Sequence, residues 1–547
     1  MKFLSEEISE SIGFDLIWSE IKPISPLGKT EKRNSTPFLN KDRDKLKKEL
    51  NNLEFIIEKK KNNTDNFAKI KNILTELKDL RGTINRSRVK KTILDDIELF
   101  EIKENIIKIQ VLKEEIEKIR LNKLFEEDFK DVKELLEILS IGQGESESFY
   151  LADEYDAELL KIRKKRKELE NKLITYKKKL SQEVEEICRR PLSIEDEISI
   201  SKNETDIIEK LKKSKFVSLI RENFAALTFK LIENEKIIDL KAAINKSKNK
   251  EEIRGNLVRK EITTKIKEFS LDLLSNLKNV AYLDFLMAKA EFSLKINGSK
   301  ANIIDEEIIK IKNGRHLFVE RELAKKGMQF QKIDLQVKKG STLITGPNMG
   351  GKTVALKMVA LLVAMAQHAL YVPAAEMKFN LRNYIYFTLS SDNLKTGLSS
   401  FGTEIIALKE VIDSADNNAL ILIDEIAHGT NPQEGYAIAY SIIKKLDNKN
   451  SISIITTHFE RLAFKLDISH LQVKGLDKKL LAKYKNSIQK NGIDVLNKCM
   501  DYSLEKRNYG SEVPHDAIKI ARVLGFNEDI LEFAEKVIKE DSDFRRE

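Results

Sequence analysis

The chain has 547 residues, of which 41% are hydrophobic and 34% charged, and Lys+Arg 97 against Asp+Glu 88 leaves a net charge of +9. That length predicts two to four units of roughly 150 residues each, the balance excludes a disordered chain, and the mild basic excess permits nucleic-acid contact without arguing for it. Cys188 and Cys499 are the only cysteines, which excludes a disulfide framework and a cysteine-based zinc site and fits a reducing cytoplasm.

In chain order, the opening "MKFLSEEISESIGF" is acidic where a secretory signal is basic and then apolar, so it reads as part of the mature fold. From about residue 40 to 290 proline is nearly absent and apolar residues recur at three and four between charges, which predicts a nearly all-helical half. Within it, Leu159, Ile162, Leu169, Leu173, Tyr176 and Leu180 form one apolar stripe between Asp156 and Ile187, the pattern of an antiparallel coiled arm. "RRPLS", Arg189 to Ser193, breaks that pattern and is expected to open a new helical series, with Pro191 as an N-terminal helix marker or a turn.

After "KINGSKANI", Lys295 to Ile303, the texture changes to short β-branched runs separated by glycine, placing a domain boundary near 300 to 320. "GSTLITG", "ALILIDE" and "SISIITTH" read as buried strands alternating with helices, as in a parallel α/β sheet. The longest apolar run near them, Met358 to Ala366, is far short of a membrane span and reads as a buried helix.

Chemistry concentrates in these strands' ends. Gly346 to Thr353 fits the P-loop pattern after a strand and before a helix. Gly346, Gly350 and Gly351 let backbone N–H groups curl round phosphates, Lys352 reaches the β and γ phosphates, and Thr353 is a Mg²⁺ ligand. "LILIDE" ends a strand in Asp424, which would hold Mg²⁺ through water, and Glu425, which would polarise the attacking water. Alone, a strand ending in two carboxylates is often a strand meeting solvent, and a lone histidine such as His458 at a strand end is usually structural. "GLSSFGTE", Gly397 to Glu404, offers hydroxyls at a helix start, which by themselves make only an N-cap at Ser400.

Taken together, "TGPNMGGKT", "AQHALYVPAAE", "SSFGTE", "LILIDEIAHGTNPQEGYAIA" and "TTHFERLA" resemble, in order and spacing, the ATPase domain of the MutS family. Pro347, Asn348 and Met349, and the Val372-Pro373-Ala374 triplet, are idiosyncrasies of that family with no general phosphate-binding reason. "GRHLFVE", Gly314 to Glu320, is similar to the entry of that domain, with Leu317 where the family usually has proline. Phe330 matches the aromatic that stacks on adenine in the family, His458 a switch histidine sensing the γ phosphate, and Ser399 a residue acting on the nucleotide of a second subunit.

The resemblance implies an α + α/β protein, with a long-helix core and lever carrying a coiled arm, followed by an ABC-type P-loop domain. Its expected domains are a helical core at 1–130, a lever arm at 131–270, the returning core at 271–313, the ATPase domain at 314–464, and a C-terminal dimerisation segment at 465–547. On this resemblance, mismatch-reading and connector domains are not expected ahead of the core, nor the Smr nuclease usual in the second MutS branch behind the ATPase domain. The implied cofactors are ATP and Mg²⁺, and the implied form is a cytoplasmic homodimer without membrane contact. Two targets stay open. One is DNA, gripped through its backbone by a nucleotide-gated clamp in mismatch repair or recombination. The other is a protein client, such as a cobalamin-dependent aminomutase that a reactivating ATPase would clear of damaged cofactor.

Overall fold

The computed structural model describes residues 2–143, 149–347, 350–388, 400–427, 431–459, 461–477, 479–481, 499–507, 516–523 and 525–544. The chain packs as two compact units. One comprises Glu76–Lys118 and Phe125–Asn279, and the other Met1–Thr75, Ile119–Leu124 and Val280–Glu547.

In the first unit the helices Ala157–Cys188 and Glu235–Glu268 run antiparallel. Their pairing can be followed along the hairpin. Arg254 forks onto the Asp156 carboxylate at 2.9 and 2.6 Å, Arg163 meets Glu251 at 3.0 Å, and Asn234 donates to the Tyr176 hydroxyl at 2.9 Å. Asp156 also caps its helix by accepting the Leu159 N–H, and these bonds, led by those from Arg254, hold its carboxyl down at about 2. The predicted stripe lies along this pairing, with Leu159 and Leu180 buried.

The region is not helical throughout, which corrects the expectation from sequence. Arg189 turns into the left-handed region at φ +53 and ends the long helix, and Pro191 follows the cap, where proline commonly falls because the helix cannot continue. Three strands then appear, β1 (Glu197–Ser201), β2 (Val217–Glu222) and β3 (Ala226–Leu231), in the antiparallel order β1-β3-β2. Ile198, Ile200, Leu227, Phe229 and Leu231 are buried at alternate positions and close over Leu180, Val184 and Cys188 of the helix. The signal was a period of two, but each strand spans so few residues that the surrounding charged helical texture masks it.

The second unit holds the α/β sheet. Its strands are β4 (Ala301–Ile303), β5 (Ile308–Gly314), β6 (Ile333–Lys338), β7 (Gly340–Thr345), β8 (Glu376–Phe379), β9 (Tyr384–Phe387), β10 (Ala419–Ile423), β11 (Ile452–Thr456), β12 (Ser469–Leu476) and β13 (Met500–Lys506). Six of them form one sheet in the order β13-β12-β7-β11-β10-β9, parallel from β12 to β9 with β13 antiparallel at the edge. The three strands expected from sequence are β7, β10 and β11 at its centre. Every residue of β10 and β11 is buried, as a parallel sheet covered on both faces requires. The helix Lys352–Gln367 packs against this sheet with Met358 to Ala366 wholly buried. A second sheet, β4-β8-β5-β6, stands beside it.

Residues 3–38 are built into the same core. The Phe3 carbonyl accepts the Ile385 N–H of β9 at 2.8 Å, Phe38 and Gln367 exchange backbone and side-chain bonds at 2.7 Å, and Phe14, tilted, and Trp18, edge-on, pack against His368. No helix among the described residues is long and apolar enough to cross a membrane.

Among the described residues, His316, His368 and His470 are buried in this unit. Burial, seconded by the positive charges of Lys357, Lys289 and Arg507 respectively, pushes each to about 4. The unfolded chain therefore binds protons from about pH 6.5 downwards while the folded chain resists them to about pH 4. Stability falls across that window as pH falls, by on the order of 2 kcal/mol per histidine between pH 7 and 5. Denaturant midpoints recorded at pH 7, 6 and 5 should drop steadily, and His368→Phe should make the drop shallower. Unchanged midpoints across the series would refute this.

Candidate phosphate-binding and hydrolytic site

The site grows from the carboxyl edge of the central strands. β7, β11 and β10 are parallel neighbours, so the residues that follow them emerge side by side. After β7 the chain turns at Gly346 with φ +134, a value open in practice only to glycine, and a Cβ there would sit 3.0 Å from the Val473 Cβ of β12. Gly351 caps the next helix at φ +78, and a Cβ there would sit 3.0 Å from the Tyr502 ring of β13. Between them the Gly350 N–H donates to the Pro347 carbonyl at 2.8 Å. Asn348 and Met349 lie outside the described residues.

Lys352 opens the helix, and its side chain folds back over the loop, with Nζ donating to the Gly346 carbonyl at 2.8 Å. It is 3% exposed and its charge is held against the loop backbone, where the first helical N–H groups add theirs. The Thr353 hydroxyl donates to Asp424 Oδ2 at 2.5 Å, which joins the P-loop helix to the end of β10. Asp424 Oδ1 accepts the Thr456 hydroxyl at 2.6 Å. Glu425 sits in the left-handed region at φ +52, and His458 Nε2 lies 3.3 Å from its Oε1.

Lys352, Thr353, Asp424, Glu425 and His458, inferred from three separate sequence motifs, are thus brought together. Ser399 lies outside the described residues. Phe330 is half-buried against the core, just before β6. Its neighbour Gln331 donates to Asp501 Oδ1 at 2.6 Å and accepts the Tyr502 N–H at 2.8 Å, so β13 links the Phe330 segment to the P-loop. Tyr502 and Thr456 were not singled out in the sequence. The first carries no motif, and the second reads only as the last residue of a strand.

The groups suit a nucleotide with a divalent ion. The loop offers glycines at 346, 350 and 351 and one buried lysine. Among the described residues no three His, Cys, Asp or Glu side chains gather as a metal cluster. A divalent ion here would therefore rest on Thr353 and Asp424, with phosphate and water oxygens completing its shell, which is how Mg²⁺ is commonly held and a zinc ion is not.

A parallel sheet with a glycine loop, lysine and paired carboxylates at its carboxyl edge defines the class of P-loop nucleotide-binding domains. Residues 342–540 match the family model of MutS domain V, and that stretch of the chain is a MutS-family domain. It is similar to Endonuclease MutS2 of Geobacillus sp. (strain WCH70), 25% identical over 394 residues that span 70% of this chain and 49% of the relative. It is also similar to Endonuclease MutS2 of Halothermothrix orenii, 32% identical over 256 residues, 46% of this chain and 31% of the relative. Putative endonuclease MutS2 of Bacillus subtilis is 28% identical over 252 residues, 46% of this chain and 32% of the relative. The matched stretches thus span half or less of these relatives.

Proposed function

We propose that the chain is a Mg²⁺-dependent ATPase that works as a homodimer and closes its helical hairpin on DNA. The observation that carries the ATPase reading is the convergence of Lys352, Thr353, Asp424, Glu425 and His458 on one sheet edge. In this reading Gly346 to Gly351, with Pro347, Asn348 and Met349, wrap the phosphates, and Lys352 holds their charge. Thr353 and Asp424 hold Mg²⁺, which when bound neutralises charge developing on the phosphoryl oxygens. Glu425 accepts a proton from the attacking water, His458 orients Glu425 or the γ phosphate, and Phe330 stacks on the base. Ser399 completes the site of a second subunit. The core, lever, ATPase and C-terminal boundaries at 130, 270, 313 and 464 belong to the same proposal.

For the target, the hairpin offers exposed Lys161, Lys164, Lys165 and Lys167. Arg163 and Arg166 are less available, because both pair with Glu251 across the hairpin. If DNA is gripped through its backbone, binding should weaken with salt at a log–log slope of roughly 0.9 per phosphate neutralised. Lys161→Glu/Lys164→Glu/Lys165→Glu should flatten that slope and weaken binding to every sequence alike, since phosphate contacts carry no sequence information. The internal use of Arg163 and Arg166 favours, as a second reading, an ATPase that remodels a protein client such as a cobalamin-dependent aminomutase. Absence of salt-dependent DNA retention, with turnover indifferent to DNA, would replace the clamp by that reading.

A further inference from the structure

One side chain touches both acidic residues of the site. Thr456 is the last residue of β11, which pairs with β10 so that Ile455 lies opposite Ile423, and this brings Thr456 level with Asp424. Thr456 is wholly buried, and its hydroxyl serves as both donor and acceptor. It donates to Asp424 Oδ1 at 2.6 Å and accepts the Glu425 N–H at 2.7 Å. The Thr456 carbonyl accepts the Ile426 N–H at 3.2 Å. Three consecutive residues after β10 are therefore fastened to this one threonine.

The bonds have two consequences for geometry. With Oδ1 engaged, the Asp424 carboxylate is fixed in rotation, and Oδ2 is the oxygen turned to Thr353. Glu425 meanwhile occupies a backbone conformation that costs a non-glycine residue roughly 1 kcal/mol or more and persists only where its surroundings impose it. The bond from its N–H to Thr456 is such an imposition, and it sets the direction from which the Glu425 side chain reaches His458.

We infer that Thr456 is a positioning residue for hydrolysis: through a single hydroxyl it orients the ion-holding carboxylate and the water-activating glutamate together. The inference rests on the ATPase reading above. Valine has the shape of threonine without the hydroxyl, and serine keeps the hydroxyl without the methyl. A hydrogen bond to a charged group, once lost, is expected to change a rate or affinity by about 10- to 100-fold.

The test measures kcat, ATP binding in EDTA, and the Mg²⁺ concentration that half-saturates the nucleotide-induced rise in melting temperature. Thr456→Val should lower kcat about 10- to 100-fold and raise the half-saturating Mg²⁺ about 10-fold, with metal-free ATP binding within about threefold of the parent. Thr456→Ser should stay within about threefold on all three. Thr456→Ala, which leaves space beside the carboxylate rather than a methyl group, is the second variant without the hydroxyl and should match valine. A parent with normal turnover, and hydroxyl-free variants equal to it in kcat and Mg²⁺ response, overturns the inference alone. So does a serine variant as impaired as valine. A parent that binds ATP yet hydrolyses none overturns the ATPase reading and the inference with it.

Discussion

Lys352→Ala should lose affinity for ATP, whereas Glu425→Gln should keep ATP and stop at it. The difference follows from where the two side chains stand. Lys352 is buried at the start of the P-loop helix with its ammonium folded over the loop carbonyls, so its charge acts on whatever anion the loop holds. Removing it deletes charge-assisted bonds made in the ground state as well as in the transition state, and affinity should fall by roughly 10- to 100-fold. Glu425 extends from the end of β10 towards His458, and its amide isostere preserves shape and one bond while losing the proton acceptor. Loss of a positioned general base lowers kcat by about 10²- to 10⁴-fold with little effect on binding. Nucleotide titration and single-turnover hydrolysis on the two variants separate these outcomes. Equal turnover near the parent level in both would remove the ATPase assignment.

The P-loop and the two carboxylates were legible because their chemistry demands particular residues at particular spacings beside buried β-branched runs. Those runs became β7, β10 and β11. Their neighbour relations were not legible, since strand order is a matter of tertiary packing, and it is the order β7-β11-β10 that places Thr456 between the P-loop and Asp424. Short strands in charged surroundings escaped for a local reason, as β1 and β3 show. Arg163 and Arg166 read as surface charge from a basic run, but the facing helix supplies Glu251, a partner 85 residues or more away in the chain. Nor did the opening residues announce that Phe3, Phe14 and Trp18 would pack around His368, because helical periodicity gives a buried face without saying what covers it.

That N-terminal packing leads to the largest expected effect on stability, Gly28→Ala. Gly28 lies in the helix Pro26–Asn34, where alanine is ordinarily favoured by up to about 1 kcal/mol. Here a Cβ would stand 2.2 Å from Asp284 Oδ2 and 2.8 Å from its Cβ, too close for any rotamer adjustment of so short a side chain to leave the carboxylate in place. Asp284 is buried and satisfied. Its Oδ1 accepts the Ile24 N–H at 2.9 Å, and Oδ2 accepts the Ser25 N–H at 2.7 Å and the Ser25 hydroxyl at 2.6 Å. Ser25 in turn caps the helix by accepting the Gly28 N–H at 3.0 Å. Burial raises the Asp284 carboxyl in spite of these bonds, so a carboxylate pushed off its donors would be left costly and unpaired. The expected loss is on the order of 3–5 kcal/mol, the scale of breaking a buried charged contact by disturbing one side. Trp18, the only tryptophan, stands beside this helix with Lys32 over its ring, so its fluorescence reports the transition under denaturant. Gly82→Ala is the control, since nothing lies within 4 Å of a Cβ there and the helix Arg81–Ser87 should gain about 0.5–1 kcal/mol. Combining Gly28→Ala with Asp284→Gly removes the clash, the 2.8 Å contact with the Asp284 Cβ included, along with the carboxylate. If steric displacement of that carboxylate is the cause, the double variant should be markedly more stable than the sum of the two losses. Strict additivity, or a Gly28→Ala variant as stable as the parent, would show that the helix can shift aside and that the glycine is not required.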